Sequence, residues 1–356
     1  LAGSGAYYSE AGKELLQFTE KTGIPTFTLK MGRGLIPDTH PLCFGSSLPI
    51  VPGCAMTAAI EADLIILLGT RLCLFTGNGK LINQNARIAQ VDIEPEEIGR
   101  NKEIDLPIFG DVKALLSECC NLLSQKDNSE SLRGKFLNWV DNLKVIDESE
   151  KVTANQRLSA SATPIHPGVL AKAVDDFMDR EDDMVVADGG EAQIWISVAR
   201  TCRKELNLLD PGLYGCLGAG FPFGIAAKLI NPDRRVLVYT GDGTMGFNFM
   251  EIETSIRLGL PIVIVTDNNQ KWGMTSNSMK LRFQQYIPGT VELGNPPYHE
   301  AVEVLGGKGI LVEKPDEIQP ALEEAFQSGV TTCINVMTDP DIIGPGTEAF
   351  ELMKNL

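Results

Sequence analysis

The stretch GDGTMGFNFMEIETSIRLGLPIVIVTDNNQKWG, Gly241–Gly273, places a Gly-Asp-Gly turn and an Asn-Asn pair on either side of an amphipathic pattern and an apolar run. The apolar segments 235–241 and 261–267 have the continuous hydrophobic character of strands buried on both faces. Between them the pattern predicts a helix from Phe247 to Gly259, with apolar residues at Phe249, Ile252 and Ile256. The stretch therefore predicts one βαβ unit of a parallel sheet.

The two polar clusters of this unit are expected to meet at one edge of the sheet. Parallel strands joined by a crossover helix have their carboxyl ends on the same side, so Asp242 and Asn269 should lie close together. A carboxylate and a carboxamide are oxygen ligands that suit Mg²⁺, which also takes phosphate oxygens. The helix after Gly243 is expected to direct its amino end, with free N–H groups, to the same crevice. The motif predicts a site for magnesium and a diphosphate.

The composition limits the class of protein. The chain has 356 residues, of which 43% are hydrophobic and 22% charged, as in a packed soluble protein of two domains. Its 31 Lys and Arg against 47 Asp and Glu give a net charge of −16, which disfavours nucleic acid and anionic membranes as partners. The 8 cysteines form no CxxC pair, which indicates reduced thiols in a cytoplasmic protein. No segment approaches the ~20 apolar residues of a membrane-spanning helix.

Strand and helix patterns alternate along both halves of the chain, which predicts an α/β protein with two doubly wound parallel sheets. Residues 1–123 are expected to form one Rossmann-like domain, whose first strand should be incomplete, and residues 164–356 a second domain. The polar segment 124–163 is interpreted as a linker with one helix near LRGKFLNWVDNLKV. Other strands are predicted at 23–29, 62–69, 86–93, 183–188, KGILVE and TTCINVM, and helices at 166–176 and from Phe221.

Gly-Asp-Gly, the βαβ spacing and Asn-Asn together resemble the diphosphate and metal motif of thiamine diphosphate (ThDP) enzymes. The resemblance extends over the whole chain to the decarboxylase and carboligase branch, which includes acetolactate synthase, benzaldehyde lyase, 2-hydroxyacyl-CoA lyase and oxalyl-CoA decarboxylase. It implies a middle domain at 1–123 and a diphosphate-binding domain at 164–356. It also implies an enzyme that uses ThDP and Mg²⁺ to cleave or form C–C bonds in a small carbonyl substrate, a 2-oxo acid or a 2-hydroxy ketone.

The resemblance assigns the anchoring of the cofactor to particular positions. It implies that the side chains of Asp242 and Asn269 and the backbone carbonyl of Lys271 bind the metal. Further cofactor contacts are implied on three segments, at Gly243 and Thr244, at Gly190 and Glu191 in ADGGEAQIW, and at Trp272, Gly273 and Met274 in NNQKWGM.

The segment YGCLGAGFPFGIAAKL resembles the part of the family that lies under the thiazolium ring. The carbonyl of Gly215 would accept a hydrogen bond from the aminopyrimidine. Leu217 would bend the cofactor where relatives often have Met, a residue of similar bulk. The resemblance thus gives Gly215 and Leu217 roles in positioning the reacting ring.

The family also implies partners for this chain. A glutamate on an amino-terminal pyrimidine-binding domain activates the cofactor, usually across a subunit interface. The segment LAGSGAYYSEAGKELLQF resembles the start of the middle domain, so we expect that glutamate to lie outside these residues. A pyrimidine-binding domain or subunit is therefore expected as a partner, in a homodimer or homotetramer.

The substrate and the middle-domain nucleotide stay open. NNQKWGM is similar to both acetolactate synthase and benzaldehyde lyase, but Asn277 and Ser278 replace the Gln-Trp pair usual in acetolactate synthases. QVDIEPEEIGRNKEI is closer to the CoA-thioester enzymes, so a 2-hydroxyacyl-CoA lyase or oxalyl-CoA decarboxylase is one alternative, and an inactive cofactor-binding half is another. In ADLIILLGTRLCLFTGNGK, Arg71 is a candidate contact for FAD or an ADP-type nucleotide, or else makes an ordinary ion pair. The incomplete glycine pattern of GSGAYYSEAG disfavours an NAD-dependent dehydrogenase.

Overall fold

The computed structural model describes residues 1–46, 53–125, 129–158, 163–285 and 287–348. The described chain divides into two compact units. The first comprises Leu1–Ala154 together with Thr201–Leu206, and the second comprises Asn155–Arg200 and the described residues from Asn207 onward. The boundary therefore falls inside a helix, and one short segment of the second half of the chain belongs to the first unit.

The first unit has an α/β architecture with parallel strands. Its strands are β1 (Thr26–Thr28), β2 (Cys43–Ser46), β3 (Leu64–Leu68), β4 (Arg87–Asp92) and β5 (Leu106–Phe109). Its helices are α1 (Ser4–Tyr8), α2 (Gly12–Thr22), α3 (Cys54–Glu61), α4 (Val112–Gln125) and α5 (Ser129–Leu158), the last of which continues past Ala154. β1 pairs with β2, and β3, β4 and β5 pair in that order, all in parallel. Ala2 forms bridges with both Thr28 and Leu68 and so lies between the two groups of strands.

Helix α5 is longer than the single helix expected in the polar segment, because it extends from Ser129 to Leu158. Its apolar residues Val140 and Leu143 are buried against Phe44, Cys54 and Ala58. This packing accounts for the placement of most of the predicted linker within the first unit, since a helix with a buried stripe gains stability from the core that it covers.

The second unit is built around a six-stranded parallel sheet in the order β10-β11-β9-β8-β6-β7. Its strands are β6 (Met184–Ala187), β7 (Leu208–Leu209), β8 (Val236–Gly241), β9 (Val263–Asn268), β10 (Lys308–Val312) and β11 (Thr332–Met337). Its helices are α6 (Pro167–Phe177), α7 (Glu191–Ala199), α8 (Gly220–Ile230), α9 (Asp242–Met245), α10 (Glu251–Arg257), α11 (Gly273–Phe283), α12 (Tyr298–Val304) and α13 (Ile318–Gln327). The predicted α/β class with parallel sheets is confirmed.

The register of the central strands fixes where the chain leaves the sheet. β8 pairs in parallel with both β6 and β9, and Gly241 lies opposite Asp267. The strands are buried on both faces, and every residue of β6 and β9 is buried. Consequently the segments after Ala187, Gly241 and Asn268 emerge side by side at the carboxyl edge of the sheet.

The crossover between β8 and β9 differs from the single helix predicted from Phe247. The structure has a four-residue helix at Asp242–Met245 and a second helix that begins only at Glu251. The intervening residues make short-range turns, in which Phe247 N–H donates to the carbonyl of Thr244. Phe247 is 57% exposed whereas Ile252 is fully buried, so the apolar residue at 247 does not belong to the buried helical stripe. The helix that starts at Gly-Asp-Gly is one turn long, and its macrodipole is correspondingly small.

Among the described helices, none is both long and apolar enough to cross a membrane.

Candidate functional site

Three loops of the second unit meet at the carboxyl edge of the six-stranded sheet. They follow β6, β8 and β9 and contain the predicted site residues at 190–191, 242–244 and 269–274. The distances from the glycines of the first loop to side chains of the other two loops show how close the three loops are. A Cβ placed on Gly189 would lie 3.0 Å from Oγ1 of Thr244, and one placed on Gly190 would lie 3.3 Å from Cβ of Met274. The structure therefore brings the residues of these three segments together.

Asp242 lies at the centre of this edge, with a side chain that is 3% exposed. Its Oδ1 accepts a hydrogen bond of 2.8 Å from Gly243 N–H, whereas its Oδ2 is buried and has no hydrogen-bond partner among the described residues. Burial raises the pKa of Asp242 to about 7, with the nearby Asp267 carboxylate adding to the rise. A cation at the bare oxygen would oppose this shift, because an adjacent positive charge favours the ionised carboxylate.

The loop after β9 turns back towards Asp242. Backbone N–H groups of Gln270 and Lys271 lie beside the Asp242 carboxylate and favour its ionised form. Asn269 Oδ1 accepts a hydrogen bond of 3.1 Å from Lys271 N–H, which fixes the carboxamide within the turn. Gln270 has a φ of +60°, so the chain reverses sharply at this position. Asp242 and Asn269 thus share one small region, as the parallel-strand argument predicts.

The backbone of Lys271 is held by a second segment of the chain. Lys271 forms an antiparallel bridge with Glu292. The ladder hydrogen bonds on either side are made by the carbonyl of Gln270 and the N–H of Trp272, which donates to Val291 over 2.8 Å. The Lys271 carbonyl belongs to neither of these two bonds, and its position is set by them.

Trp272 closes one side of the site. A Cβ placed on Gly243 would lie 2.7 Å from Cζ3 of the Trp272 ring, so only glycine fits at that position without displacement of the indole. Phe247 packs edge-to-face on the same ring, with centroids 6.1 Å apart. The ring therefore fixes the distance between the Gly-Asp-Gly turn and the loop after Asn269.

Two of the longer helices begin at predicted cofactor positions. Helix α7 starts at Glu191 with Gly190 as its N-cap, and helix α11 starts at Gly273 with Trp272 as its N-cap. No side chain caps either amino end. Unsatisfied N–H groups in the first turn of a helix are donors for an anion. These helices provide the amino ends that the sequence had assigned to the helix after Gly243.

The side chain of Glu191 contacts residues that lie outside these three loops. Its carboxylate accepts a hydrogen bond from the Thr347 hydroxyl and interacts with the side chain of Asn277 and the backbone N–H of Gly344. Burial raises the pKa of Glu191 to about 7. What Glu191 offers to an anion is therefore its backbone N–H at the start of α7.

A fourth loop, residues 212–219, carries the two predicted ring-positioning residues. Gly215 is exposed and has a φ of +60°, and Leu217 is half-buried. The loop reaches the site through Gly218, whose carbonyl accepts a hydrogen bond of 2.8 Å from Asn248 Nδ2. Gly215 and Leu217 thus lie on a loop that contacts the segment just after the Gly-Asp-Gly helix.

Two further residues tie the site together without having been singled out from the sequence. Tyr298 donates a hydrogen bond of 2.8 Å to the backbone carbonyl of Asp242. Asp188 is 1% exposed and accepts hydrogen bonds from backbone N–H groups of Gly218 and Gly220. The position of Asp188 directly after the buried strand VVA was the available signal, since polar residues at strand carboxyl ends form sites in such sheets. The sequence around Tyr298 contains no pattern that would have identified it as a site residue.

Arg71, the candidate nucleotide contact, lies in the first unit. Its Nε is 3.3 Å from Oε2 of Glu97, and Arg100 is 2.8 Å from the other oxygen of the same carboxylate. The Arg71 side chain is 53% exposed, so it makes a surface ion pair in this structure.

The donor set at Asp242 fits a magnesium ion with phosphate ligands. In the described part of the chain, no group of three His, Cys, Asp or Glu side chains forms a ready metal cluster. One carboxylate with a bare buried oxygen and one carboxamide nearby would leave most of an octahedral shell to other oxygens, which is how Mg²⁺ is commonly bound with a diphosphate. The amino ends of α7 and α11 would meet the diphosphate itself.

Two family models match the sequence. Residues 188–336 match the thiamine pyrophosphate enzyme, C-terminal TPP binding domain, and residues 1–119 match the thiamine pyrophosphate enzyme, central domain. The two matches together cover well over half of the chain. The second unit, with the site at its sheet edge, thus corresponds to a domain that binds thiamine pyrophosphate, another name for ThDP.

Several known proteins are similar over nearly the whole chain. A probable acetolactate synthase large subunit of Methanococcus aeolicus is 30% identical over 98% of this chain and 60% of its own length. The 2-hydroxyacyl-CoA lyase 1 of Mus musculus is 30% identical over 96% and 59%, and the 2-hydroxyacyl-CoA lyase of Arabidopsis thaliana is 31% identical over 95% and 59%. The chain therefore spans about three fifths of the length of these relatives. With both family models and these relatives in agreement, the chain belongs to the thiamine pyrophosphate enzyme family.

Proposed function

We propose that this chain forms the cofactor-anchoring part of a ThDP- and Mg²⁺-dependent enzyme that cleaves or joins C–C bonds in a 2-oxo acid or a 2-hydroxy ketone. When bound, ThDP accepts the electron pair of the bond that is broken or formed. The work of the chain itself is to bind the diphosphate, to hold the metal and to orient the ring.

The observation that carries this proposal is the buried Oδ2 of Asp242. A carboxylate oxygen without a partner in a low-dielectric site is unfavourable unless something positive is placed beside it. In our proposal Mg²⁺ takes that oxygen together with the Asn269 side chain and the backbone carbonyl of Lys271. The turn of Gly243 and Thr244 and the backbone N–H groups of Gly190 and Glu191 then meet the diphosphate, while the Gly243 N–H itself stays bonded to Asp242 Oδ1.

The ring of the cofactor is assigned to the loop of residues 212–219. We assign the carbonyl of Gly215 to the aminopyrimidine and the side chain of Leu217 to the bend between the two rings. Trp272, Gly273 and Met274 would border the substrate side of the same site, because they lie at the start of the helix that faces Gly190.

A pyrimidine-binding domain or subunit is the proposed partner, in a homodimer or homotetramer. Large apolar side chains near the site are open to solvent, with Tyr214 94%, Phe247 57% and Met250 63% exposed. Exposed apolar groups of this size beside a binding site commonly mark a surface that another domain covers. We also propose that the first unit holds FAD or an ADP-type nucleotide near Arg71. The free thiols agree with a cytoplasmic location.

Two classes of substrate are candidates. Acetolactate synthases and 2-hydroxyacyl-CoA lyases are both about 30% identical to this chain, so an enzyme of the CoA-thioester type is the second candidate. Asn277, at the position of the substrate-side Gln-Trp pair, is 1% exposed and donates a hydrogen bond to the carbonyl of Ile342. A buried structural asparagine at that position favours the second candidate over an acetolactate synthase.

Titration calorimetry with ThDP and MgCl₂ tests the proposal. The wild-type chain should bind ThDP only in the presence of Mg²⁺, and Asp242→Ala should weaken binding by about 100-fold or more, since it removes a charged metal ligand. Asp233→Ala, which changes an exposed acid of the same unit, is the matched control and should bind as the wild type does. A folded Asp242→Ala variant with unchanged affinity would contradict the proposal.

Turnover assays separate the remaining alternatives. The chain is incubated with ThDP and Mg²⁺ and with pyruvate, benzoin or a 2-hydroxyacyl-CoA, with and without an added pyrimidine-binding domain. Activity in the absence of that domain rules out an inactive cofactor-binding half. Turnover of the CoA thioester alone selects the lyase over the acetolactate synthase.

A further inference from the structure

We propose that Asp188 is a positioning residue that fixes the ring-binding loop, residues 212–219, relative to the diphosphate-binding turn at Gly189 and Gly190. The inference rests on the proposed function, since it concerns how that site holds ThDP. It assigns to Asp188 the orientation of the thiazolium part of the cofactor, and not the anchoring of the diphosphate or the metal.

The geometry at Asp188 links the two loops through one carboxylate. Its Oδ1 accepts hydrogen bonds of 2.8 Å from Gly189 N–H and 3.2 Å from Gly218 N–H. Its Oδ2 accepts a hydrogen bond of 2.6 Å from Gly220 N–H. The side chain is 1% exposed, so these three bonds are shielded from water. Bonds from neutral N–H groups to a buried carboxylate are stronger than those between neutral groups.

The ring-binding loop needs such a restraint because its own sequence provides little. Gly212, Gly215 and Gly218 have φ values of +67°, +60° and +86°, and glycine loses more conformational freedom on ordering than any other residue. The side chains of Leu213, Tyr214 and Cys216 are exposed and do not pack the loop down. The carboxyl end of the loop is fixed by the hydrogen bonds that Asp188 accepts and by the bond from Asn248 to the Gly218 carbonyl.

The start of helix α8 packs closely against the Asp188 carboxylate. A Cβ placed on Gly220 would lie 2.8 Å from Oδ2 of Asp188, so the backbone of α8 touches the carboxylate directly. Leu217 immediately precedes Gly218 and therefore takes its position from this contact. Because Gly189 is bonded to the same carboxylate, the distance from Leu217 to the Gly190 turn is set by Asp188.

A pair of probes distinguishes ring positioning from diphosphate anchoring. Inorganic pyrophosphate and ThDP are each titrated calorimetrically into the chain with excess Mg²⁺. Wild type should bind ThDP more tightly than pyrophosphate, because only ThDP contacts the ring-binding loop. In Asp188→Asn, which replaces one acceptor by an N–H donor, pyrophosphate affinity should stay within about twofold while ThDP affinity falls about fivefold or more.

Asp183→Asn is the matched control. Asp183 is an equally buried aspartate just before the amino end of the same strand, where it pairs with Arg235. The variant should lower thermal stability without a change in the ratio of the two affinities. If Asp188→Asn does not fold, Asn248→Ala releases the same loop from an exposed position and should lower the ratio in the same direction.

The outcomes separate the inference from the function on which it rests. Wild type that binds neither probe overturns the proposed function and the inference with it. Wild type that prefers ThDP, with the same preference in Asp188→Asn and in Asn248→Ala, overturns only the inference. Equal wild-type affinity for both probes also overturns it, because the loop then adds nothing to binding.

Discussion

The hydroxyl of Tyr298 donates a hydrogen bond of 2.8 Å to the backbone carbonyl of Asp242, although 56 positions separate the two residues. The bond holds the residue that we assign to the metal from the side of α12. Burial, with the nearby Asp242 carboxylate contributing, raises the pKa of Tyr298 to about 12, so the hydroxyl keeps its proton and remains a donor. It therefore stabilises the Gly-Asp-Gly turn at every ordinary pH.

Replacement of Tyr298 by Phe should loosen this turn while leaving the fold intact. Loss of one hydrogen bond to a partly buried carbonyl is expected to lower the free energy of unfolding by about 1 kcal/mol. Mg²⁺-dependent ThDP affinity should fall about threefold to tenfold, as measured by calorimetry. Tyr8→Phe, at a tyrosine that is 76% exposed, is the control and should change neither quantity. Equal ThDP affinities in the two variants would show that Tyr298 does not support cofactor binding.

Gly243 and Gly246 provide a matched pair within and directly after one short helix. A Cβ on Gly243 would lie 2.7 Å from the Trp272 ring, whereas one on Gly246 would have its nearest neighbour at 3.8 Å. Gly243→Ala should therefore destabilise the chain by about 1–3 kcal/mol and abolish measurable ThDP binding. Gly246→Ala should be neutral or slightly stabilising. Urea unfolding with parallel calorimetry checks both, and equal behaviour of the two variants would contradict the packing described here.

Glu191 makes the stability of the second unit depend on pH. Its folded pKa is about 7, raised chiefly by burial, and the facing groups are Thr347, Asn277, Gly344 N–H and the Asp267 carboxylate. The unfolded pKa is near 4.3, so the folded state binds more protons between these values and stability falls as pH rises from about 4 to about 7. The favourable contribution is complete below this window and is lost above it.

Glu191→Gln should reduce that fall, because the amide keeps an acceptor for Thr347 without a buried charge, while the part due to Asp242, whose pKa is also raised to about 7, remains. At pH 8 the variant should gain up to about 3 kcal/mol relative to wild type. The check is the free energy of unfolding from pH 4 to pH 8, with Glu303→Gln on the exposed face of α12 as control. A wild-type slope that persists in Glu191→Gln would assign the pH dependence to another group.

Arg200 is expected to be essential for stability and not for cofactor binding. Its fully buried guanidinium pairs with Asp175 at 2.9 Å and donates to backbone carbonyls of Met178 and Asn207. Arg200→Met would leave Asp175 buried without its charge partner, at a cost of about 3–5 kcal/mol. Arg257→Met removes an exposed pair with Glu253 and should change stability by about 0.5 kcal/mol or less. Urea unfolding compares them, and similar losses would refute the distinction.

Much of the site could be predicted because it follows from strand polarity. Once 235–241 and 261–267 are parallel neighbours, Asp242 and Asn269 must emerge at the same edge, whatever the intervening residues do. The helix boundaries were less predictable. The sequence predicted that the crossover helix starts at Phe247, but the side chain of Phe247 packs on Trp272, a contact that no local pattern contains.

The sequence by itself therefore determined the α/β class, the alternation of strands and helices, and the pairing of Gly-Asp-Gly with Asn-Asn, since local periodicity and chain direction carry that information. Tertiary structure alone decided the bond from Thr347 to Glu191, the bond from Tyr298 to Asp242 and the bonds from the Gly218 and Gly220 N–H groups to Asp188. These depend on contacts between positions 30 or more residues apart, whose partners only the packing of loops around the sheet brings within reach.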